Sequence, residues 1–197
     1  MIYEEKKFDL PELQGLSEKQ ISVHLGLYGG YVKHVNLLRE QLHELESVGG
    51  EKFSYAGAET RRRLGFEFNG MRMHEYYFEQ WEKGAKEPSV DSPLSELLKE
   101  KYGSFEKSIE HFKMVGLGTR GTGWTILYYD PRGKTPHIAW VNDHEIGQFA
   151  GLPIILAMDM WEHAYMVDYT PSEKKQYVDA FFKNLNWNVV ESRLKIV

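Results

Sequence analysis

The sequence predicts an α+β protein: an N-terminal α-helical hairpin, then a C-terminal domain with a three-stranded antiparallel sheet and surrounding helices. Apolar residues recur at helical spacing through the first half of the chain, whereas three strand-like segments lie close together between residues 123 and 158. The segment "GAKEPSVDSP" at residues 84–93 reads as a linker between the halves. We therefore predict a hairpin domain at residues 1–88 and an α+β domain at residues 89–197.

The first helix is predicted from its start signal and its apolar stripe. Ser17 is suited to cap the helix, and Gln20 completes a capping box. Two series with seven-residue spacing form the stripe: Ile21, Tyr28, Val35 and Leu42, and beside them His24, Tyr31, Leu38 and Leu45. Gly49 and Gly50 indicate where the helix ends.

A second helix is predicted over about residues 60–83. One side of this helix carries Gly70, His74, Tyr77, Phe78 and Trp81. The three arginines at residues 61–63 are interpreted as its solvated start, because the basic run is too short to indicate nucleic-acid binding.

The C-terminal half begins with two amphipathic helices, "SPLSELLKEKYG" and "SFEKSIEHFKMVG". The predicted strands are "GWTILYYD", "TPHIAWVND" and "LPIILAM". Because the short turn "PRGK" joins the first two strands, we expect them to be antiparallel. The tail after Pro171 is predicted to be helical.

Composition excludes several classes of function. The chain has no cysteine, so disulfides, thiolate metal sites and thiol nucleophiles are excluded. A net charge of −5 argues against a general nucleic-acid-binding protein. No apolar run approaches the roughly 20 residues that span a bilayer, and the N-terminal stretch resembles no secretory signal. We therefore expect a cytoplasmic protein with no membrane or nucleic-acid partner.

The histidines divide into two groups. Four of them are interpreted as solvated or structural: His34, His43, His111 and His137. His24 and His74 fall on the inward sides of the two helices, and Asp159 precedes His163 by four residues after an apolar strand. Three imidazoles and one carboxylate suit iron or manganese. Spacing alone leaves two interpretations open, this metal site and a set of ordinary buried histidines.

Several segments resemble the iron/manganese superoxide dismutases. "DMWEHAYMVDY" resembles the Asp-x-Trp-Glu-His-Ala-Tyr signature of that family, and "GTGWTILYYD" is similar to its Gly-Ser-Gly-Trp strand. "SVHLGLYGGYV" and "FNGMRMHEYYF" are similar to the segments that carry its first and second metal ligands, and "NLNWNVVESRL" resembles its C-terminal helix. The resemblance covers nearly the whole chain in order.

The resemblance implies an oxidoreductase that converts superoxide to dioxygen and hydrogen peroxide at one manganese or iron ion per chain. The implied protein ligands are His24, His74, Asp159 and His163, with a solvent molecule completing the coordination. The implied aromatic shell consists of Tyr31, Trp124, Trp161 and Tyr165, with Tyr31 in a catalytic role. Family members are dimers or tetramers, so Glu162 and Tyr165 are expected at a homodimer interface. The competing interpretation is a metal-binding member of the same fold without catalytic activity.

The chain departs from the family pattern after its first ligand. The family has Lys-His-His before the tyrosine corresponding to Tyr31, eight residues beyond the ligand; here "LYGG" precedes Tyr31 and the gap is seven. Seven residues are close to two turns, so a regular helix keeps His24 and Tyr31 on one face. Tyr28 is expected to fill the space of the missing gateway histidine. Two interpretations of Lys174 and Lys175 stay open: one of them replaces the missing cation at the entrance, or both are ordinary surface lysines.

A second departure concerns the side chain that would bond the metal-bound solvent. Many family members use a glutamine from the second helix or from the loop after the strand pair. The second-helix position is Gly70, which offers no donor, whereas the loop offers Asp143, His144 and Gln148. His144 is the preferred prediction. The choice between iron and manganese, and between dimer and tetramer, stays open from sequence.

Overall fold

The computed structural model describes residues 2–194. Two long helices come first: α1, Glu18–Val48, and α2, Gly50–Glu79. Two shorter helices follow: α3, Pro93–Tyr102, and α4, Phe105–Gly118. The strands are β1, Trp124–Asp130, β2, Thr135–Val141, and β3, Ile154–Asp159. Two helices end the described part: α5, Lys174–Lys183, and α6, Trp187–Leu194.

The predicted α+β architecture is confirmed: a helical hairpin precedes a three-stranded antiparallel sheet with helices around it. The strand order is β2-β1-β3, and both pairings are antiparallel. The division into domains at residue 88 stays a prediction. Within residues 2–194, no helix has the combination of length and apolar character that crossing a bilayer requires.

The predicted start of α1 is confirmed, because the Ser17 side chain accepts from the Gln20 backbone N–H at 3.1 Å and caps the helix.

The turn between the two long helices is tighter than predicted. Gly49 and Gly50 have φ values of 66° and 72°, a backbone conformation that glycine adopts without strain. Because these two glycines reverse the chain at once, α2 begins at residue 50, not 60, and the arginines at 61–63 lie within the helix.

The predicted helical tail is confirmed as two helices, α5 and α6, with a turn between them that the sequence pattern did not indicate. Asn184 caps the end of α5, and its side-chain amide donates to the carbonyls of Ala180 and Gln14. The Asn186 backbone N–H donates at 2.8 Å to the carbonyl of Gln80, at the end of α2. These long-range contacts hold the turn.

The register of the sheet brings candidate functional residues to one end. Trp124, the first residue of β1, pairs with Val141 at the end of β2 and with Asp159 at the end of β3. His144 follows β2 by three residues, so it emerges at the same end of the sheet. Helix α2 packs against β3, and α1 packs against α2 and contacts the short segment at residues 162–164 that follows β3. The buried faces of the two helices include His24 and His74.

Candidate metal centre

Four side chains from four separate elements converge in the interior. The potential ligand atoms of these side chains all lie within 4.8 Å of one another: His24, His74, Asp159 and His163. His24, His74 and Asp159 are fully buried, and the side chain of His163 is 18% exposed. Burial of four such groups together requires mutual compensation or a bound cation.

The local structure explains how each of the four side chains is positioned in the cluster. His24 lies on the buried face of α1 and His74 on that of α2. Asp159 ends β3, and its Oδ1 accepts from the Trp161 backbone N–H at 2.8 Å. That bond starts a short 3-10 helix at residues 162–164, which turns His163 back towards the same carboxylate. The Asp-to-His spacing of four therefore forms a tight turn.

Three imidazole nitrogens face one oxygen of Asp159. The Nε2 atoms of His24 and His163 lie 3.2 Å and 3.1 Å from Asp159 Oδ2. The Nε2 atom of His74 lies 3.7 Å from the same oxygen. This arrangement presents three nitrogens and one oxygen around a common point, a donor set that suits iron or manganese.

The tautomer of His74 tests whether the site fits a metal. Nδ1–H of His74 donates at 2.6 Å to the Gly70 carbonyl, which can only accept. The proton therefore sits on Nδ1, and the Nε2 lone pair points into the cluster. That buried Nε2 has no hydrogen-bond partner. A buried lone pair that faces a carboxylate is left without a donor, and a metal ion between the two groups would bind both. The residues therefore fit a metal ion.

The protonation states agree with this fit. Burial lowers the pKa of His24, against the opposing hydrogen bond with Asp159. Burial, and then the electrostatic effect of His24, lower the pKa of His74 well below its usual value. Burial would raise the pKa of Asp159, but attraction to His163 and hydrogen bonds with His163 and His24 hold it below its usual range. Neutral imidazoles and an ionised carboxylate are the metal-binding forms.

A hydrogen-bonded chain runs beside the four groups. The Trp124 indole N–H donates to Nδ1 of His144 at 2.9 Å, and Nε2 of His144 lies 2.7 Å from the Tyr31 hydroxyl oxygen. Because an indole can only donate, Nδ1 of His144 must accept and Nε2 carries the proton. Burial lowers the pKa of His144 to about 4, so its ring is neutral at neutral pH. His144 therefore donates to Tyr31, whose own proton remains free to be donated elsewhere.

Aromatic rings enclose this chain. The indole of Trp161 stacks on His144 and His163, with ring centroids 4.9 Å and 5.5 Å away. The Phe66 ring contacts His144 at a centroid distance of 4.7 Å, and the Tyr31 ring lies 5.0 Å from the His74 ring. Apolar rings on several sides limit the access of water to the cluster.

Gly70 is a point of close approach between α1 and α2. A Cβ atom at this position would lie 2.6 Å from carbons of the Tyr31 ring, closer than packed side chains allow. The absence of a side chain therefore makes room for Tyr31. Gly70 thus contributes twice, through this space and through the carbonyl that orients His74.

The hydroxyl of Tyr28 bonds two groups outside the four-residue cluster. Its hydroxyl accepts from the Lys6 backbone N–H at 2.8 Å and donates to Glu75 at 3.2 Å. These bonds fix the direction of the hydroxyl, and the expectation that Tyr28 fills the space of a gateway histidine stays a prediction. Contacts with the N-terminal segment, which local spacing does not reveal, determine its direction.

The three loop candidates are also separated. The Gln148 side chain bonds the Tyr128 hydroxyl and the His144 carbonyl, and Asp143 accepts from Thr122 at 2.7 Å. Of the three, only His144 places its side chain against Tyr31. Gln148 and Asp143 are engaged with other parts of the loop and sheet.

The two lysines expected at the entrance are bound elsewhere. Lys174 donates to the Thr119 carbonyl at 3.0 Å, and Lys175 pairs with Asp179 at 3.0 Å.

The two residues expected at a dimer interface differ in exposure. Glu162 is exposed, whereas Tyr165 is buried with its ring stacked on Tyr177 at a centroid distance of 5.1 Å. The exposure of Glu162 leaves it accessible to another chain.

Sequence reasoning missed two residues near the cluster. Phe66 precedes Gly70 and His74 at four-residue intervals, so helical spacing could have placed it on their face. Tyr177, which donates to the Asp159 carbonyl at 2.5 Å, gives no such signal because it lies on a separate helix.

Comparison with known proteins agrees with the geometry. A family model described as iron/manganese superoxide dismutases, C-terminal domain, matches residues 90–193. A superoxide dismutase [Fe] of Cupriavidus metallidurans is 34% identical over 197 residues, covering 98% of this chain and 96% of the relative. The superoxide dismutase [Fe] of Saccharolobus solfataricus is 32% identical, covering 96% of this chain and 94% of the relative. That of Sulfolobus acidocaldarius is 31% identical with the same coverage.

Proposed function

The chain belongs to the iron/manganese superoxide dismutase family, and we propose that it converts superoxide to dioxygen and hydrogen peroxide at the four-residue cluster. As a member of this family it is an oxidoreductase with one iron or manganese ion per chain. The proposed metal ligands are His24, His74, Asp159 and His163. The single observation that carries the proposal is the convergence of these ligand atoms within 4.8 Å in the protein interior.

The chemistry of the donor set supports a redox metal. A bound iron or manganese ion supplies electron transfer, since either can alternate between divalent and trivalent states. The ionised carboxylate of Asp159 offsets part of the ion's charge, and the neutral imidazoles add no charge of their own. The names of the relatives favour iron as the first metal to test.

Tyr31 and His144 are the proposed catalytic pair. His144 donates to the Tyr31 oxygen, which leaves the Tyr31 O–H free to bond an incoming anion or pass it a proton. Burial raises the pKa of Tyr31, so the hydroxyl keeps this proton at neutral pH. Trp124 holds the tautomer of His144 through the indole N–H, and in this sense it is a positioning residue.

The surrounding aromatic residues are proposed to control access. Trp161 and Phe66 pack against His144, and Gly70 allows Tyr31 to lie close to α2. These contacts fix the pair and limit the space to a small molecule, which suits a diatomic substrate. Substitutions here are expected to change turnover more than metal binding.

Assembly into a homodimer or homotetramer is proposed for the functional state. The exposed Glu162 lies next to the ligand His163, so a partner chain bonded there would contact the turn that carries the ligand. Tyr165 supports the same turn from the buried side. Sedimentation of Glu162→Ala beside the unaltered protein tests this: the assembly is expected to dissociate, and an unchanged assembly would contradict it.

One observation favours a second candidate function, a metal-binding protein without catalytic activity. The Tyr28 hydroxyl is bonded to Lys6 and Glu75, which argues against its substituting for the gateway histidine of the family pattern. The two candidates differ in a direct way. Iron-loaded protein that consumes superoxide at a rate proportional to its metal content supports the enzyme, whereas full occupancy without consumption supports the second candidate.

A further inference from the structure

A small pocket opens beside the proposed catalytic pair. It has a volume of about 320 Å³, and its lining includes Tyr31, His34, Arg63, Phe66, Glu67 and Trp161. Since Tyr31 and Trp161 also border the metal cluster, the pocket lies on an approach from solvent to the site.

Arg63 presents its charge to this pocket. Its side chain is 50% exposed, whereas the side chain of its ion-pair partner Glu67 is only 3% exposed. The guanidinium lies over the Phe66 ring, 4.2 Å from the centroid, and that ring in turn contacts His144. The covered carboxylate and the ring therefore hold the guanidinium in place, while further N–H groups remain available on its open side.

The charge of Arg63 also reaches the catalytic pair. Burial is the main cause of the raised pKa of Tyr31 and of the lowered pKa of His144. In both cases the charge of Arg63 acts to lower the pKa. Arg63 is thus electrostatically coupled to both ends of the Tyr31–His144 bond, and its buried partner Glu67 acts on the pKa of Tyr31 in the opposite direction.

The neighbouring arginines do not share this position. Arg61 pairs with Glu46 at 2.8 Å, and Arg62 pairs with Glu59 at 3.0 Å. Neither lines the pocket beside Tyr31. Lys174 and Lys175, the cations expected from sequence, are engaged elsewhere.

We propose that Arg63 guides superoxide to the site through this pocket. The inference rests on the proposed function, because it takes superoxide as the substrate. A protein with a net charge of −5 repels an anion at long range, so a local cation is required for fast association. A unit charge several ångströms from the path changes association by about threefold at low salt.

The test is a charge series at one position, with iron-loaded Arg63→Lys, Arg63→Gln and Arg63→Glu compared at several ionic strengths. Arg62→Gln is the matched control, since Arg62 is also exposed and paired with a glutamate on α2. At low salt, kcat/KM is expected to stay near normal for lysine, fall about threefold for glutamine and fall further for glutamate. At about 1 M salt, where screening acts within roughly 3 Å, the rates should converge.

Azide titration of the same iron-loaded proteins, followed by visible absorption, provides a readout independent of turnover. Arg63→Gln is expected to weaken azide binding about threefold at low salt, and Arg62→Gln to leave it unchanged. Equal salt dependence and equal azide affinity in Arg63→Gln and the unaltered protein would overturn the inference, as would rates that stay different at high salt. If the unaltered protein consumes no superoxide, the proposed function fails, and the azide series still decides the role of Arg63.

Discussion

The hydroxyl oxygen of Tyr31 lies 2.7 Å from Nε2 of His144, and this bond joins helix α1 to the loop after strand β2. The Trp124 indole N–H donates to Nδ1 of the same ring, so Nε2 carries the proton and the imidazole can only donate to Tyr31. The direction of that bond determines which proton Tyr31 can offer to a substrate, and four consequences of the site can be measured.

Replacement of His144 by alanine is expected to lower superoxide turnover about 10- to 100-fold and to shift the reduction potential, while metal stays bound. The reason is that Tyr31 loses the donor that orients it, whereas all four proposed ligands remain. Stopped-flow turnover, potentiometry and metal analysis on one sample test this. His43→Ala, at an exposed position of α1, is the control, and unchanged turnover in His144→Ala would contradict the assigned role.

Gly70→Ala should displace Tyr31 because the new methyl group would lie 2.6 Å from its ring. We expect a loss of about 1 to 3 kcal/mol in the free energy of unfolding, together with reduced turnover at full metal occupancy. Gly65→Ala is the matched control on α2, since the new methyl group would lie 3.9 Å from its nearest neighbour, a carboxylate oxygen of Glu145. That variant should be stabilised by up to about 1 kcal/mol. Equal effects of the two substitutions would argue against the packing explanation.

Asp159→Asn removes the charge that faces three imidazoles while keeping the shape of the side chain. Metal affinity is expected to fall by more than the roughly 10- to 100-fold that loss of an outer-shell partner costs. Competition with a chelator measures the affinity, and Asp91→Asn at an exposed position is the control. Retention of normal affinity in Asp159→Asn would remove this residue from the ligand set.

Acid is expected to destabilise the metal-free protein in a defined range. Burial lowers the pKa of His144 from 6.5 to about 4, so between these values the unfolded chain binds more protons than the folded one. The free energy of unfolding should therefore fall as the pH drops from 6.5 to 4, by about 3 kcal/mol for this group. The lowered pKa values of His24 and His74 act in the same direction.

Urea unfolding at several pH values, with metal removed by a chelator, measures this dependence. His144→Gln should show a shallower slope over the same range, since glutamine does not titrate. A slope that is identical in the two proteins would show that His144 is not held neutral by the fold.

Periodicity was sufficient to predict the parts of the fold that depend on neighbours in sequence. The stripe of α1 correctly placed His24 on a buried face, and the apolar segments correctly located the three strands. It failed at Gly50, where two consecutive glycines start a helix without an interval, and at Asn184, whose capping contacts come from Gln14 and Ala180. Both features depend on backbone conformation or long-range bonds that no spacing encodes.

The same division applies to the site. The Asp-to-His spacing and the two inward histidines left a metal site and ordinary buried histidines as open interpretations, and the family resemblance implied the four residues that the structure brings together. The direction of Tyr28 could not be predicted, because Lys6 and Glu75 determine it from distant parts of the sequence. The role proposed for Arg63 could not be predicted for a similar reason: only the fold distinguishes Arg63 from Arg61 and Arg62.

The central claim is that the four-residue cluster holds a redox metal that turns over superoxide. The most direct measurement is the rate of superoxide consumption by protein loaded separately with iron and with manganese, with metal content determined on the same samples. We predict turnover with at least one metal, proportional to occupancy and reaching its maximum at one ion per chain. Full occupancy by both metals in turn, with no superoxide consumed in either form, would contradict the claim.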